Sequence, residues 1–212
     1  MNDRCRQTVF KLIFLEFRIE ELVMKNYMSA VAAVGALLSF SPVYADSKAR
    51  PVYNYAGAKL VSQSVDVGGS EDCRQNGIYI EGSYDVDGQL FVRGSFGDVS
   101  GDDCGSRSAT AEIGYRTAWG EASHLYATGG VETIAPDVGS RDTGLVLAGG
   151  IRSYIVPGIE AYAELQYHSV NDDGAYLGAG AAYWFNDSVA ITGDVTVGSE
   201  NTAFGVGARV SF

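Results

Sequence analysis

T-A-F-G-V-G-A-R-V-S-F, running from Thr202 to Phe212, alternates without a break. In an extended chain successive side chains point to opposite faces. Phe204, Val206, Ala208, Val210 and Phe212 therefore share one side, and Ala203, Gly205, Gly207, Arg209 and Ser211 share the other. One side is wholly apolar and the other is small or polar. A sheet with one face in water shows the same pattern, so the earlier segments must say which solvent the apolar side meets.

Those segments repeat the theme. Strands are expected at 58–67, 77–86, 89–97, 108–119, 123–134, 143–155, 159–170, 175–185, 188–197 and 202–212. The first is the poorest in alternation. Asp87-Gly88 is a strong hairpin signal. The connections at 87–88, 120–122, 156–158 and 186–187 are tight, whereas 68–76, 98–107 and 136–142 are long and acidic. Tight and long connections thus fall on opposite ends of an up-and-down sheet.

The charges settle which face is which. Within strands two to ten the charged residues are Glu81, Asp85, Arg93, Glu112, Arg116, Glu132, Arg152, Glu160, Glu164, Asp194 and Arg209. All eleven have the parity opposite to the apolar side, as do His124 and His168. The apolar side, which includes Ile78, Ile80, Leu90, Ile113, Leu145, Ile151, Ala161 and Ile191, carries no charge within those limits. A charge at a bilayer midplane costs roughly 2–4 kcal/mol, so this is the pattern of a barrel with lipid outside and a polar lumen. A soluble barrel with an apolar interior would reverse it. Trp119, Tyr183, Phe185 and Phe212 fall together at the short-turn rim, where an interfacial girdle belongs.

Composition agrees. The chain has 27 Gly, 13 Tyr and only 4 Pro in 212 residues, which suits strands in close contact. The main body has no apolar run long enough for a membrane helix, and strands of about 9–11 residues need none. Ala30 to Phe40, after Met24-Lys25, is a secretory hydrophobic segment, and V-Y-A before Asp46 is a cleavage site between Ala45 and Asp46. Residues 1–23 carry Asp3, Glu16, Glu20 and Glu21 and fit no signal-peptide start, so they are read as a mis-assigned start upstream of Met24 or as an extension. The expected organisation is 24–45 signal peptide, 46–57 periplasmic segment and 58–212 barrel.

Of 15 basic and 26 acidic residues, five and four lie in 1–45, which leaves ten against twenty-two and a net charge near −12. That argues against nucleic acid as a partner. Cys73 and Cys104 remain as a pair, and an exported protein makes a disulfide between them the default. Placed in the first two outer loops, it would close about 30 residues and add roughly 3–4 kcal/mol on the chain-entropy account. No Cys/His cluster suggests a metal, and no cofactor is expected.

The signal segment, the ten-residue alternating stretches and the terminal G-V-G-A-R-V-S-F together resemble the small bacterial outer-membrane β-barrel proteins (OmpA- and OmpX-like, porin-like) over roughly residues 52–212. The resemblance implies an all-β transmembrane antiparallel barrel in a Gram-negative outer membrane, surrounded by lipid and lipopolysaccharide. Ten strands are counted, with the family's common eight as the alternative. It also implies that Phe204, Val206, Val210 and Phe212 form the signal read by the β-barrel assembly machinery. The fold specifies no activity by itself.

The lumen charges read either as a narrow, weakly cation-preferring pore or as ion pairs filling a small bore. Glu71, Asp72, Asp98, Asp102, Asp103, Asp137, Asp142, Asp172, Asp173 and Glu200 read as solubilising loop acids or as a divalent-cation bridge, though D-V-S-G-D-D lacks the EF-hand spacing. His168 and Ser169 are adjacent and so face opposite ways, which disfavours a Ser–His relay. His124 and Glu132 are eight residues apart on one strand, about 26 Å. The expected function is a non-enzymatic envelope barrel, structural or a narrow channel. The alternatives are a surface interaction protein presenting its outer loops to an unidentified ligand and, third, an outer-membrane lipid hydrolase.

Overall fold

The computed structural model describes residues 50–65, 73–101, 104–170, 174–199 and 201–212. Ten strands lie among them: β1 Tyr55–Val65, β2 Cys73–Asp85, β3 Leu90–Ser100, β4 Gly105–Ala118, β5 Ser123–Pro136, β6 Asp142–Val156, β7 Ile159–His168, β8 Gly174–Trp184, β9 Val189–Gly198 and β10 Asn201–Ser211. Each pairs antiparallel with the next, and β1 pairs with β10 from Tyr55 opposite Ser211 to Val65 opposite Asn201. The sheet closes on itself and leaves no edge. The strand number is ten, not eight. The proposed leader, with Met24 and the Ala45–Asp46 site, lies outside the described residues.

Several expected boundaries are corrected. β1 begins at Tyr55 and ends at Val65, so the barrel starts three residues before 58. Its alternation looked poor because Lys59 and Gln63 face inward while Ser62 faces out. The hairpin arms are also longer than expected. Cys73 is the first residue of β2 rather than a loop residue, β3 runs on to Ser100, and β4 starts at Gly105. These extensions put Asp98 opposite Arg107 on the outward face, where Arg107 Nε donates to Asp98 Oδ2 at 3.1 Å. An exposed outward ion pair marks the height at which lipid gives way to water.

Below that height the outward side chains form an apolar belt. Ile80 is 58% exposed, Leu145 59% and Val206 69%. Ile151 and Ala161, which share that parity, are buried. Trp119, Tyr183, Phe185 and Phe212 are exposed at the short-turn rim, with the Tyr183 and Phe185 rings edge to face at 5.1 Å.

The short turns explain themselves locally. Gly88, Gly120 and Gly158 have φ of 85°, 82° and 80°, which suits residues lacking a Cβ. Asp87 Oδ1 accepts from the amides of Leu90 at 2.7 Å and Gln89 at 3.0 Å, and Asn186 Oδ1 does the same for Val189 and Ser188. These amides, Leu90 first and then Gln89, hold the exposed Asp87 carboxyl below the usual aspartate range. A depressed folded-state pKa contributes stability above the unfolded value, and that stability is lost as pH falls through the folded one. Asp87→Ala should lower the urea midpoint of the folded barrel at neutral pH, and the difference from wild type should close in strong acid.

Candidate functional site

The interior is stratified along the barrel axis. At the short-turn end, Arg116 pairs with Asp85, and Arg152 pairs with Glu160 through Nε at 2.7 Å to Oε1. Residues 50–54 enter this mouth. Val52 packs on a cluster of Ala182, Trp184 and Ala190, while Tyr53, 3% exposed, packs on Phe91 at a ring separation of 4.7 Å. The Arg116 and Arg152 guanidiniums lie 4.0 and 4.6 Å from the centre of the Tyr53 ring, and Arg209 lies 3.9 Å from that of Tyr55. Asn54 is tied down as its Oδ1 accepts from the Asp85 amide at 2.6 Å. Tyr53 lines both a lumenal cavity of about 340 Å³ and a second one of about 410 Å³ bordered by Arg50, Asn54 and Phe212.

The next layer is an ion-pair lattice. Arg93 on β3 reaches across the bore: Nη1 donates to Glu164 on β7 at 2.6 Å, while Nη2 donates to Glu112 at 2.7 Å and Thr128 at 3.1 Å. Tyr126 donates to the same Glu164 oxygen at 2.7 Å. Lys59 bridges Asp194 at 3.2 Å and Glu81 at 3.6 Å, and Arg209 donates to Glu81 at 2.8 Å. Ten of the eleven charges expected in the lumen have a charged partner here or in the layer below, and the eleventh, Glu132, bonds to His168 above. Lys59 is a twelfth, missed because β1 was misjudged. Inward parity continued back from Val61 would have found it.

Among the described residues the lining above the lattice is almost neutral. Glu132 and His168 are the exception and bond to each other through Nδ1, with His168 Nε2 3.0 Å from Gln166 Oε1. His168 thus meets Glu132 across strands, whereas His124 lies at the opposite end. Ser169 turns away: its Oγ accepts from the Leu145 amide at 2.7 Å. Cys73 and Cys104 are joined, with Cα atoms 6.5 Å apart, within the roughly 4.4–6.8 Å that a bridge spans. Because Cys73 belongs to β2, the bond ties that strand's first residue to the approach to β4.

One regularity of the wall is visible only in register. Inward aromatics face a glycine on the neighbouring strand: Tyr79 opposite Gly97, Phe91 opposite Gly114, Tyr126 opposite Gly150, Tyr162 opposite Gly180 and Tyr176 opposite Gly198. A Cβ added at Gly97 or Gly114 would collide with several carbons of the facing ring. Each of these rings therefore lies over its glycine, one face on the wall and the other toward the bore.

Phe204, Val206, Val210 and Phe212 are exposed on the outward face of β10. Among the described residues, no group of three or more His, Cys, Asp or Glu side chains is arranged to hold a metal ion.

A family model of the outer membrane protein β-barrel domain matches residues 30–212. Among solved structures, KdgM porin is similar at 13% identity over 74% of this chain and 99% of its own, with a TM-score of 0.44. Neisserial surface protein A follows at 14%, 74%, 96% and 0.45, and Ail, the attachment invasion locus protein of Yersinia pestis, at 14%, 76%, 100% and 0.41. Likeness at that level does not bear on what this barrel does. Among proteins of curated function, none matches the sequence significantly. The chain belongs to the outer membrane protein β-barrel domain family, and its place is the bacterial outer membrane.

Proposed function

We infer that the protein is a non-enzymatic envelope barrel whose bore is closed to solutes, exported by a signal peptide cleaved between Ala45 and Asp46. The observation that carries this reading is Arg93, which spans the bore from β3 to Glu164 on β7 at 2.6 Å. The ion pairs of its layer cross the cavity that a permeating ion would have to follow, and displacing a partner leaves a buried charge uncompensated. Tyr53, held between two guanidiniums, supports it from the short-turn side. The assembly machinery takes up the chain through Phe204, Val206, Val210 and Phe212, which lie on the side that lipid covers. The position of Ser169, its hydroxyl engaged by the Leu145 amide, supports a non-enzymatic role over lipid hydrolysis.

Planar-bilayer recording on the folded protein beginning at Asp46 tests this. No discrete conductance steps are expected from barrels shown to be inserted by their protease resistance in vesicles. Steps that scale with salt would overturn the closed reading in favour of a narrow channel.

A further inference from the structure

The lumenal cavity of about 340 Å³ runs from Tyr53, Phe91 and Arg152 at the short-turn end past Arg93 to Ser106, Ile134 and Asn201 near the long-connection ends of their strands, and its upper part is the space above the Arg93 layer. Three features of this space belong together.

The first is the segregation of charge. Among the described residues, the lumenal arginines and Lys59 sit at or below the Arg93 layer, each bonded to a carboxylate, and the one lining acid above it, Glu132, is engaged by His168. Among the described lining residues an anionic ligand would find no free cation in the upper half, and a cationic one would have to displace His168.

The second is the hydrogen-bonding lining. Gln63 donates to Gln75 at 2.6 Å, the Ser95 and Thr110 hydroxyls lie 2.9 Å apart, and Ser108 donates to the Tyr79 hydroxyl at 3.3 Å. A hydroxyl offers one donor and two acceptor sites, and an amide two donors and a carbonyl, so after these bonds each bonded pair retains capacity of both kinds. Asn201 Oδ1 is buried with no partner at all.

The third is the set of flat rings. Tyr79 and Tyr176 lie over Gly97 and Gly198 and line the cavity above the Arg93 layer, where the His168 ring packs edge to face with Tyr176 at 5.0 Å. A ring face set among groups that both donate and accept suits a molecule with apolar C–H patches between hydroxyls.

We propose that the upper lumen is a binding cup for a small neutral polyhydroxylated ligand, a free mono- or disaccharide. This goes beyond the closed-barrel reading and does not depend on it, since the cup lies above the Arg93 layer whether or not that layer conducts.

Saturation-transfer NMR tests it on the folded protein in a detergent without a sugar head group, with maltose and N-acetylglucosamine as probes and galacturonate and glucosamine as charged counterparts. The neutral sugars should receive saturation from the barrel and the charged pair markedly less. Thr110→Val and Tyr79→Leu, each checked for heat-modifiable gel mobility, should weaken binding roughly fivefold, as expected for one lost bond or stacking face. Tyr79→Phe should keep most of it. Should Tyr79→Leu fail to fold, Thr110→Val decides alone. No transfer to either neutral sugar overturns the proposal, as does preference for a charged sugar or a signal unchanged in Thr110→Val.

Discussion

Arg152→Met is expected to destabilise the folded barrel by roughly 3–5 kcal/mol, the cost of leaving a buried carboxylate without its counter-charge. Glu160 is 1% exposed, and Arg152 is its salt-bridge partner, bonding one of its oxygens with both Nε and Nη2. The other oxygen, Oε2, is already buried without a hydrogen-bond partner. The guanidinium also stacks on Tyr53 and Tyr55, which adds packing to the loss. The measurement is urea unfolding from lipid vesicles, read by the shift in gel mobility. Glu160→Gln in the same chain should recover most of the loss, because a neutral amide no longer needs a cation. If the double variant is as unstable as Arg152→Met, the pair is not the source of the cost, and the double-mutant cycle will say so.

Ile80→Arg should cost about 2–4 kcal/mol by the same assay, because it puts a guanidinium into the apolar belt at mid-height on β2. Ile80 faces outward between Ala58 and Phe96, neither of which can pair with a cation. Val86→Arg, at the short-turn rim of the same face, should cost only about 0–1 kcal/mol, since the penalty falls toward the interface. Equal costs at the two depths would mean that the outward surface does not face a bilayer.

The parity of eleven charges was legible in the sequence because a strand has a period of two and the bilayer penalises each exception. Direction was legible from the turns, since Asp87-Gly88 and Asn186-Asp187 favour tight reversal through side-chain acceptors and, at Gly88, a positive φ. Partnership was not. Arg93 and Glu164 are 71 residues apart, and Glu132 and His168 are 36 apart; which inward residues meet depends on strand tilt across a closed circle. The entry of residues 50–54 into the mouth had no periodic signal, because a non-strand segment leaves none. Lys59 was lost for a simpler reason: Ser62 and Ser64 masked the alternation of β1. The ring-over-glycine pairs could have been found by folding each hairpin about its turn, as Tyr79 and Gly97 stand equally far from Gly88.

Those pairs also bear on how such a wall changes over generations. Gly97 cannot gain a methyl group while Tyr79 rests on it, and Tyr79 cannot be lost without leaving Gly97 as a bare dent with no reason to stay small. Two codons eighteen positions apart are thereby bound into a single heritable character, and the same holds for Phe91 with Gly114 and Tyr162 with Gly180. Among descendants of this chain the members of each pair should drift together. Five of the 27 glycines are then the imprint of rings borne by neighbouring strands.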